Sequence, residues 1–473
     1  MSNYSQEAAK QEIYKAINFL SQNKFAEAES ICKDLLLDHE NSDAYHILSS
    51  LKLKDKEFDS SIELVNKAIS IDSSNIGYYV TLGCAQSSIE KYADAAETFK
   101  DAIEINNKVS QVHFYLGEAY RKLTKYNLAI KAFKKSIEIN KDHSSALLFL
   151  GISYVEIKEF ELAKNAFKKC IDTNPDFIEA HINLAMLHLL TGNYKDGWEE
   201  FEWRLKLKAF ENDISGKPWN GESLSNKKLL IIDEQGFGDT INFIRFAQDF
   251  HKDDCEVILQ TKPELVELMN QQKWINHVTT QKYDGEYDYF IHLLSIMKII
   301  DWSPDNHKNN FPYLTCESSH SECIKNHKIN IGLVLQTSLS NDHYHRSIPY
   351  EMLKECFDSS KHNVISLDYK ENQNEHINDI FDCKADYKDF NELASIINNL
   401  DLVISVDTAV AHLSGALNKN TWLLLPYVPG WRWDLNFVDS TPWYNSLILF
   451  RQNQISNWDN VINKIKLELM NYE

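Results

Sequence analysis

Between residues 49 and 201 the chain repeats itself with a period of 34 residues. Ser49, Gly83, Gly117, Gly151 and Ala185 share one position of the repeat, and Val65, Phe99, Phe133, Phe167 and Phe201 follow sixteen residues after each. Twelve residues after the first set lie Ser61, Ala95, Ala129, Ala163 and Gly197. Small residues let two helices approach and an aromatic ring fills the space beside them, so the period predicts stacked helix–turn–helix units. Pro175 stands where the second helix of a unit ends, a place from which proline cannot continue the helix. A unit around Ala16, Phe25 and Ala28 is offset by one residue and reads as an atypical cap.

These units resemble the tetratricopeptide repeat family, and about six of them account for residues 1–206. The resemblance implies a superhelix whose concave groove binds a peptide. The groove position held by Asn183 is Ile47, Thr81, Tyr115 and Phe149 in earlier units, so no asparagine ladder is present to clamp a peptide backbone. Tyr115, Phe149 and Asn183 are the groove candidates of an aromatic and aliphatic surface. A structural array, or one that joins two copies as a homodimer, remains the alternative.

The helical period then gives way. Gly197–Arg204 (GWEEFEWR) is dense in aromatic residues, and Ile214–Glu222 carries Gly and Pro that break a helix. Residues 207–226 read as a junction, with Trp198, Trp203 and Trp219 expected to dock the array rigidly on the next domain.

Strands and helices alternate from residue 227 onward, the pattern of parallel α/β sheets. Two Rossmann-like domains are expected, over residues 227–328 and 329–457, with a terminal helix (458–473) packing back on the first. Leu402–Val406 is an apolar run that stops at Asp407-Thr408 before a helical pattern from Ala409. The free N–H groups and dipole of such a helix start favour a phosphate, with the Thr408 hydroxyl and the His412 ring as further donors; a plain strand–turn–helix is the alternative. A second turn, Gly236-x-Gly238-Asp239, lets the backbone approach a ligand closely and sets a carboxylate at a helix start, although Asp239 as a mere cap explains it equally well. A third candidate is the polar stretch Gln336–Pro349, with Gln336, Thr337, Ser338, Asn341 and Arg346, whose guanidinium suits a diphosphate; a surface loop with Arg346 paired locally is the alternative. A fourth is the tryptophan-rich run Pro426–Asp434, in which Trp431 suits stacking on a base or sugar; walling of the interdomain hinge is the alternative.

A formal charge of −20 argues against nucleic acid or anionic membrane as the main partner. No apolar run reaches the length of a membrane span, and Met1–Gln11 lacks a signal-peptide core. Eight scattered cysteines without a CxxC pair point to a reduced, cytoplasmic protein with no zinc site.

Together, EQGFGDTINFIRF (Glu234–Phe246), IGLVLQTSLSNDHYHRSIP (Ile331–Pro349), DLVISVDTAVAHLSGAL (Asp401–Leu417) and PGWRWDLNFVDSTPWY with LFRQ resemble the ADP-heptose:lipopolysaccharide heptosyltransferase family. Two departures are Leu335, where relatives tend to carry tryptophan, and a sparse stretch around Lys282–Lys308. The resemblance implies a GT-B fold, a nucleotide-sugar donor held mainly by the C-terminal domain, inversion at the anomeric carbon, and no essential metal or cofactor. It implies Asp239 as the general base, and Gly236, Gly238, Gln336, Thr337, Ser338, Asn341, Arg346, Asp407, Thr408, Ala409, His412 and Trp431 as donor contacts. The expected activity is glycosyl transfer to a protein presented by the repeats, a flagellin-like or other surface protein by analogy with relatives. A saccharide or lipid-linked acceptor with the repeats docking a partner, or an inactive scaffold, are the alternatives. Neither the sugar nor the base is read from the residues.

Overall fold

The computed structural model describes residues 6–38, 40–210, 214–307, 310–317, 324–325, 327–337, 346–368 and 387–472. It divides into two compact units, Met1–Ala180 and His181–Glu473. The division falls within helix Ile178–Leu190, the first helix of the sixth predicted repeat unit.

The first unit is a succession of helix pairs: Gln6–Ser21 with Phe25–Asp38, Ser42–Lys54 with Phe58–Ile71, Ile76–Ser88 with Tyr92–Ile105, Ser110–Lys122 with Tyr126–Ile139, and Ser144–Glu156 with Phe160–Thr173. The spacing seen in the sequence is a contact in space. A Cβ added at Gly83 or Gly117 would lie 2.5 or 2.6 Å from the Cε1 of Phe99 or Phe133, so at these positions glycine lets the paired helices close on a ring. Each pair turns through a left-handed residue, and these also recur every 34 positions, at Lys56, Glu90, Thr124 and Lys158 (φ 58–63°). In the first pair the left-handed residue is Asn23, 33 residues before Lys56, which is the one-residue offset of the cap.

The second unit begins at His181 within helix Ile178–Leu190, continues with helix Tyr194–Phe201 and then builds two parallel sheets. The first has the order β3-β2-β1-β4, with β1 Lys228–Ile232, β2 Glu256–Gln260, β3 His277–Thr279 and β4 Tyr289–His292. The second has the order β6-β5-β7-β8-β9, with β5 Ile329–Val334, β6 His362–Ser366, β7 Leu402–Val406, β8 Thr421–Leu425 and β9 Leu447–Arg451. β7 and β8 are buried along their whole length, as continuous apolar runs in a doubly covered parallel sheet must be. In each sheet the chain steps to both sides of its first strand. The switch points lie between β1 and β4 and between β5 and β7, where the carboxyl ends of the strands open a crevice.

The terminal helix corrects the expectation. Asp459–Met470 packs its Val461, Ile465 and Leu469 on the second sheet, beside Ile331, Leu402, Trp422 and Phe450, not on the first. Its apolar stripe was legible, but the sheet it covers depends on β9, which directly precedes it and lies at the edge of the second sheet.

Aromatic and ionic contacts knit the unit together. Trp198 packs on Phe243, Trp302 and Trp431, and Trp302 stacks on Trp443 at 3.9 Å. Trp203 instead stacks on His181 (3.6 Å), and Trp219 meets Phe250. The Tyr194 hydroxyl donates to Asp434, and the Leu435 N–H donates to the carbonyl of Leu190 (3.1 Å). These bonds hold the last helix pair to the loop after β8.

Candidate active site

Two strand–turn–helix junctions meet at the carboxyl ends of the sheets. From β1 the chain passes Asp233–Gln235 into helix Phe237–Phe243, and from β7 it passes Asp407 and Thr408 into helix Ala409–Ala416. The helices pack directly together. A Cβ at Gly238 would stand 2.7 Å from His412 Cδ2 and 3.4 Å from Ala409 Cα, so the glycine permits the approach.

Asp239 is 7% exposed. Its Oδ2 accepts the Gly236 N–H at 3.3 Å, which closes the turn, while Oδ1 accepts Arg432 Nε at 2.7 Å and a second bond from Arg432 Nη2. Burial pushes its carboxyl above the usual range, and the Arg432 charge opposes that rise. Arg432 was not among the sequence candidates. It lies 193 residues away, in the loop after β8, with its guanidinium 4.2 Å over the Trp431 ring.

Asp407, Thr408 and Ala409 are partly exposed, whereas the helix from Val410 onward is buried. The Thr408 side chain makes no capping bond; its hydroxyl lies 3.1 Å from that of Ser405. The first-turn N–H groups of the helix are thus left without a cap from Thr408. Arg346 Nη1 stands 3.7 Å from Asp407 Oδ2, and Gly430 lies close to the same carboxylate. Across the switch point, Gln336 is exposed, and the Thr337 N–H donates to Ser347 Oγ (3.1 Å). Ser338 and Asn341 lie outside the described residues.

Two donor-contact assignments are corrected. His412 is 3% exposed, stacks on Trp433 at 5.2 Å, and bonds through Nδ1 to the Tyr444 hydroxyl (2.7 Å), which itself donates to Asn242 Oδ1 (3.0 Å). Burial, with the charges of Arg432 and Arg245, holds its pKa well below the ordinary histidine value. The ring is thus enclosed by Trp433 and Tyr444 and is not open to a ligand at the helix start. Trp431, 8% exposed, is walled in by Trp198, Phe201 and Phe243 and is a packing residue instead of a stacking platform.

Two further groups escaped the sequence reading. Asp368, just beyond β6, accepts the N–H groups of Leu335 (3.3 Å) and Gln336 (3.2 Å), and burial pushes it up to about 6. A lone acidic residue directly after a buried strand was the available signal. Arg204 is buried and grips Glu234 with Nε at 2.7 Å and Nη2 at 2.8 Å, which ties GWEEFEWR to the turn that carries Asp239.

In the first unit, Tyr115 and Phe149 are half-buried. Tyr115 stacks on Phe99 (5.6 Å), and Phe149 packs on Phe114 (5.8 Å) with the Arg121 guanidinium 5.0 Å above its ring. Asn183, also half-buried, belongs to the second unit. No helix among the described residues is long and apolar enough to cross a membrane.

Comparison with known proteins bears on the repeats. The tetratricopeptide repeat model matches residues 42–75, 76–109, 110–143 and 144–177. Protein FlbA of Caulobacter vibrioides is 35% identical over 68 residues, 14% of this chain and 11% of FlbA. Among solved structures, MamA is 24% identical, with 33% of this chain and 92% of that one covered and a TM-score of 0.32. PilF of Pseudomonas aeruginosa is 18% identical, with 44% and 94% covered and a TM-score of 0.39. Residues 42–177 are therefore a run of tetratricopeptide repeats, followed in the same chain by two parallel sheets.

Proposed function

We propose that the second unit is an inverting glycosyltransferase of GT-B architecture that moves a sugar from a nucleotide-sugar donor to a polypeptide recruited by the repeats. The observation that carries this reading is the meeting of the two strand–turn–helix junctions: Gly238, the neighbour of Asp239, lies against Ala409 and His412 of the helix from the other sheet. The donor diphosphate is assigned to that helix start, where first-turn N–H groups and the Arg346 guanidinium oppose its charge without a metal. Asp239 is the base. As the acceptor oxygen bonds to the anomeric carbon, its proton passes to the carboxylate, and the electrons of the broken C–O bond go to the diphosphate. Burial, which raises the affinity of Asp239 for a proton, favours that role. The polypeptide acceptor rests on the repeats, because tetratricopeptide-repeat proteins commonly bind peptides or partner proteins.

The test is a thermal-shift screen of nucleotide sugars against the full chain, followed by calorimetry on wild type and Arg346→Ala. A donor that stabilises the protein and loses affinity in the variant supports the reading. A broad panel that gives neither a shift nor binding heat counts against it.

A further inference from the structure

Two arginines near helix Ala409–Ala416 face carboxylates: Arg346 faces Asp407 and Arg432 faces Asp239. The Arg432 contact is the tighter of the two and is made to the group proposed as the base. The base and its counter-ion come from opposite sheets. Several contacts hold the stem of Arg432 in place. Its carbonyl accepts Trp443 Nε1 (2.6 Å), and its side chain lies over the Trp431 ring, itself walled by three aromatic neighbours. Gly430, two residues earlier, lies against Asp407, so the loop that carries Arg432 also touches the turn leading into the helix start. The Arg432 bond to Oδ1 and the Gly236 N–H on Oδ2 both favour the ionised form of Asp239 and so oppose the rise in proton affinity that burial causes.

We propose that Arg432 is a shared counter-ion that passes from Asp239 to the diphosphate of an incoming donor, so that donor binding frees the base. This rests on the glycosyltransferase reading above. The transfer breaks one ion pair and forms another. The carboxylate becomes available to take the acceptor hydroxyl proton only once the leaving group is in place, which suppresses proton abstraction without a donor.

The carboxylate and the diphosphate thus compete for one guanidinium, and calorimetry with inorganic pyrophosphate on the full chain measures that competition. Arg432→Gln should weaken binding about tenfold, with Arg432→Lys retaining part of the affinity. Asp239→Asn, nearly isosteric, should tighten binding by about fivefold or more, and the gain should vanish in the Asp239→Asn/Arg432→Gln double variant. A gain that persists in the double variant would mean that Asp239 acts only through its field, and the proposal falls. It falls equally if neither single variant departs from wild type while Arg346→Gln weakens binding, an outcome that leaves the glycosyltransferase reading standing. Wild type that binds neither pyrophosphate nor any nucleoside diphosphate would overturn both.

Discussion

Arg204→Met should cost the second unit about 3–5 kcal/mol, the range for stripping one partner from a buried ion pair. The arginine is 1% exposed and makes five bonds. Two go to Glu234, and the others go to the Phe201 carbonyl, Glu202 and Ser295. Methionine fills much of the volume but leaves Glu234 as a buried carboxylate whose remaining donor is the Leu294 N–H at 2.9 Å. The loss therefore comes from uncompensated charge more than from lost packing. Adding Glu234→Gln should recover much of it, since both charges are then gone. Urea unfolding followed by tryptophan emission isolates the effect, because all ten tryptophans lie at residue 198 or beyond, within the second unit. A loss below about 1 kcal/mol, the scale of an exposed pair, would refute the reasoning. So would a double variant as unstable as Arg204→Met.

Gly117→Ala sets a Cβ 2.6 Å from the fully buried Phe133 ring, so overpacking should outweigh the gain in helix propensity. A net loss of about 1–2 kcal/mol is expected in urea unfolding followed by circular dichroism, and an unchanged midpoint would contradict the contact. Asp368 has a folded pKa of about 6, raised by burial above its unfolded value, so its stabilising contribution is present at low pH and lost as pH rises through 6. Asp368→Asn should therefore gain stability over wild type between about pH 4 and about pH 6 and hold that gain above; denaturation midpoints across this range would find no such divergence if the carboxyl were ordinary. Once a donor is identified, Asp239→Asn should lower transfer about a hundred- to ten-thousandfold, and single-turnover rates near wild type would remove it as the base.

How much was legible depends on how far apart the interacting residues are in the chain. Gly117 and Phe133 touch because a helical hairpin returns the chain after sixteen residues, and the same local geometry places Lys56, Glu90, Thr124 and Lys158 at successive turns. The two junctions, β1 into Phe237–Phe243 and β7 into Ala409–Ala416, are equally local: an apolar run, a polar turn and a helical period lie within about a dozen residues of one another. Hydrophobic periodicity reports which face of an element is buried but not which neighbour covers it. Strand order, the sheet that receives helix Asp459–Met470, and the burial of Trp431 and His412 all depend on that neighbour. The ion pairs Arg204–Glu234 and Arg432–Asp239 join residues 30 and 193 positions apart. Nothing periodic links those positions. The sequence alone determined the repeat array and the two strand–turn–helix junctions, because both are built from contacts between near neighbours in the chain. Tertiary structure alone decided the arginine that faces Asp239 and the burial of His412, because both come from elements that meet only when the sheets converge.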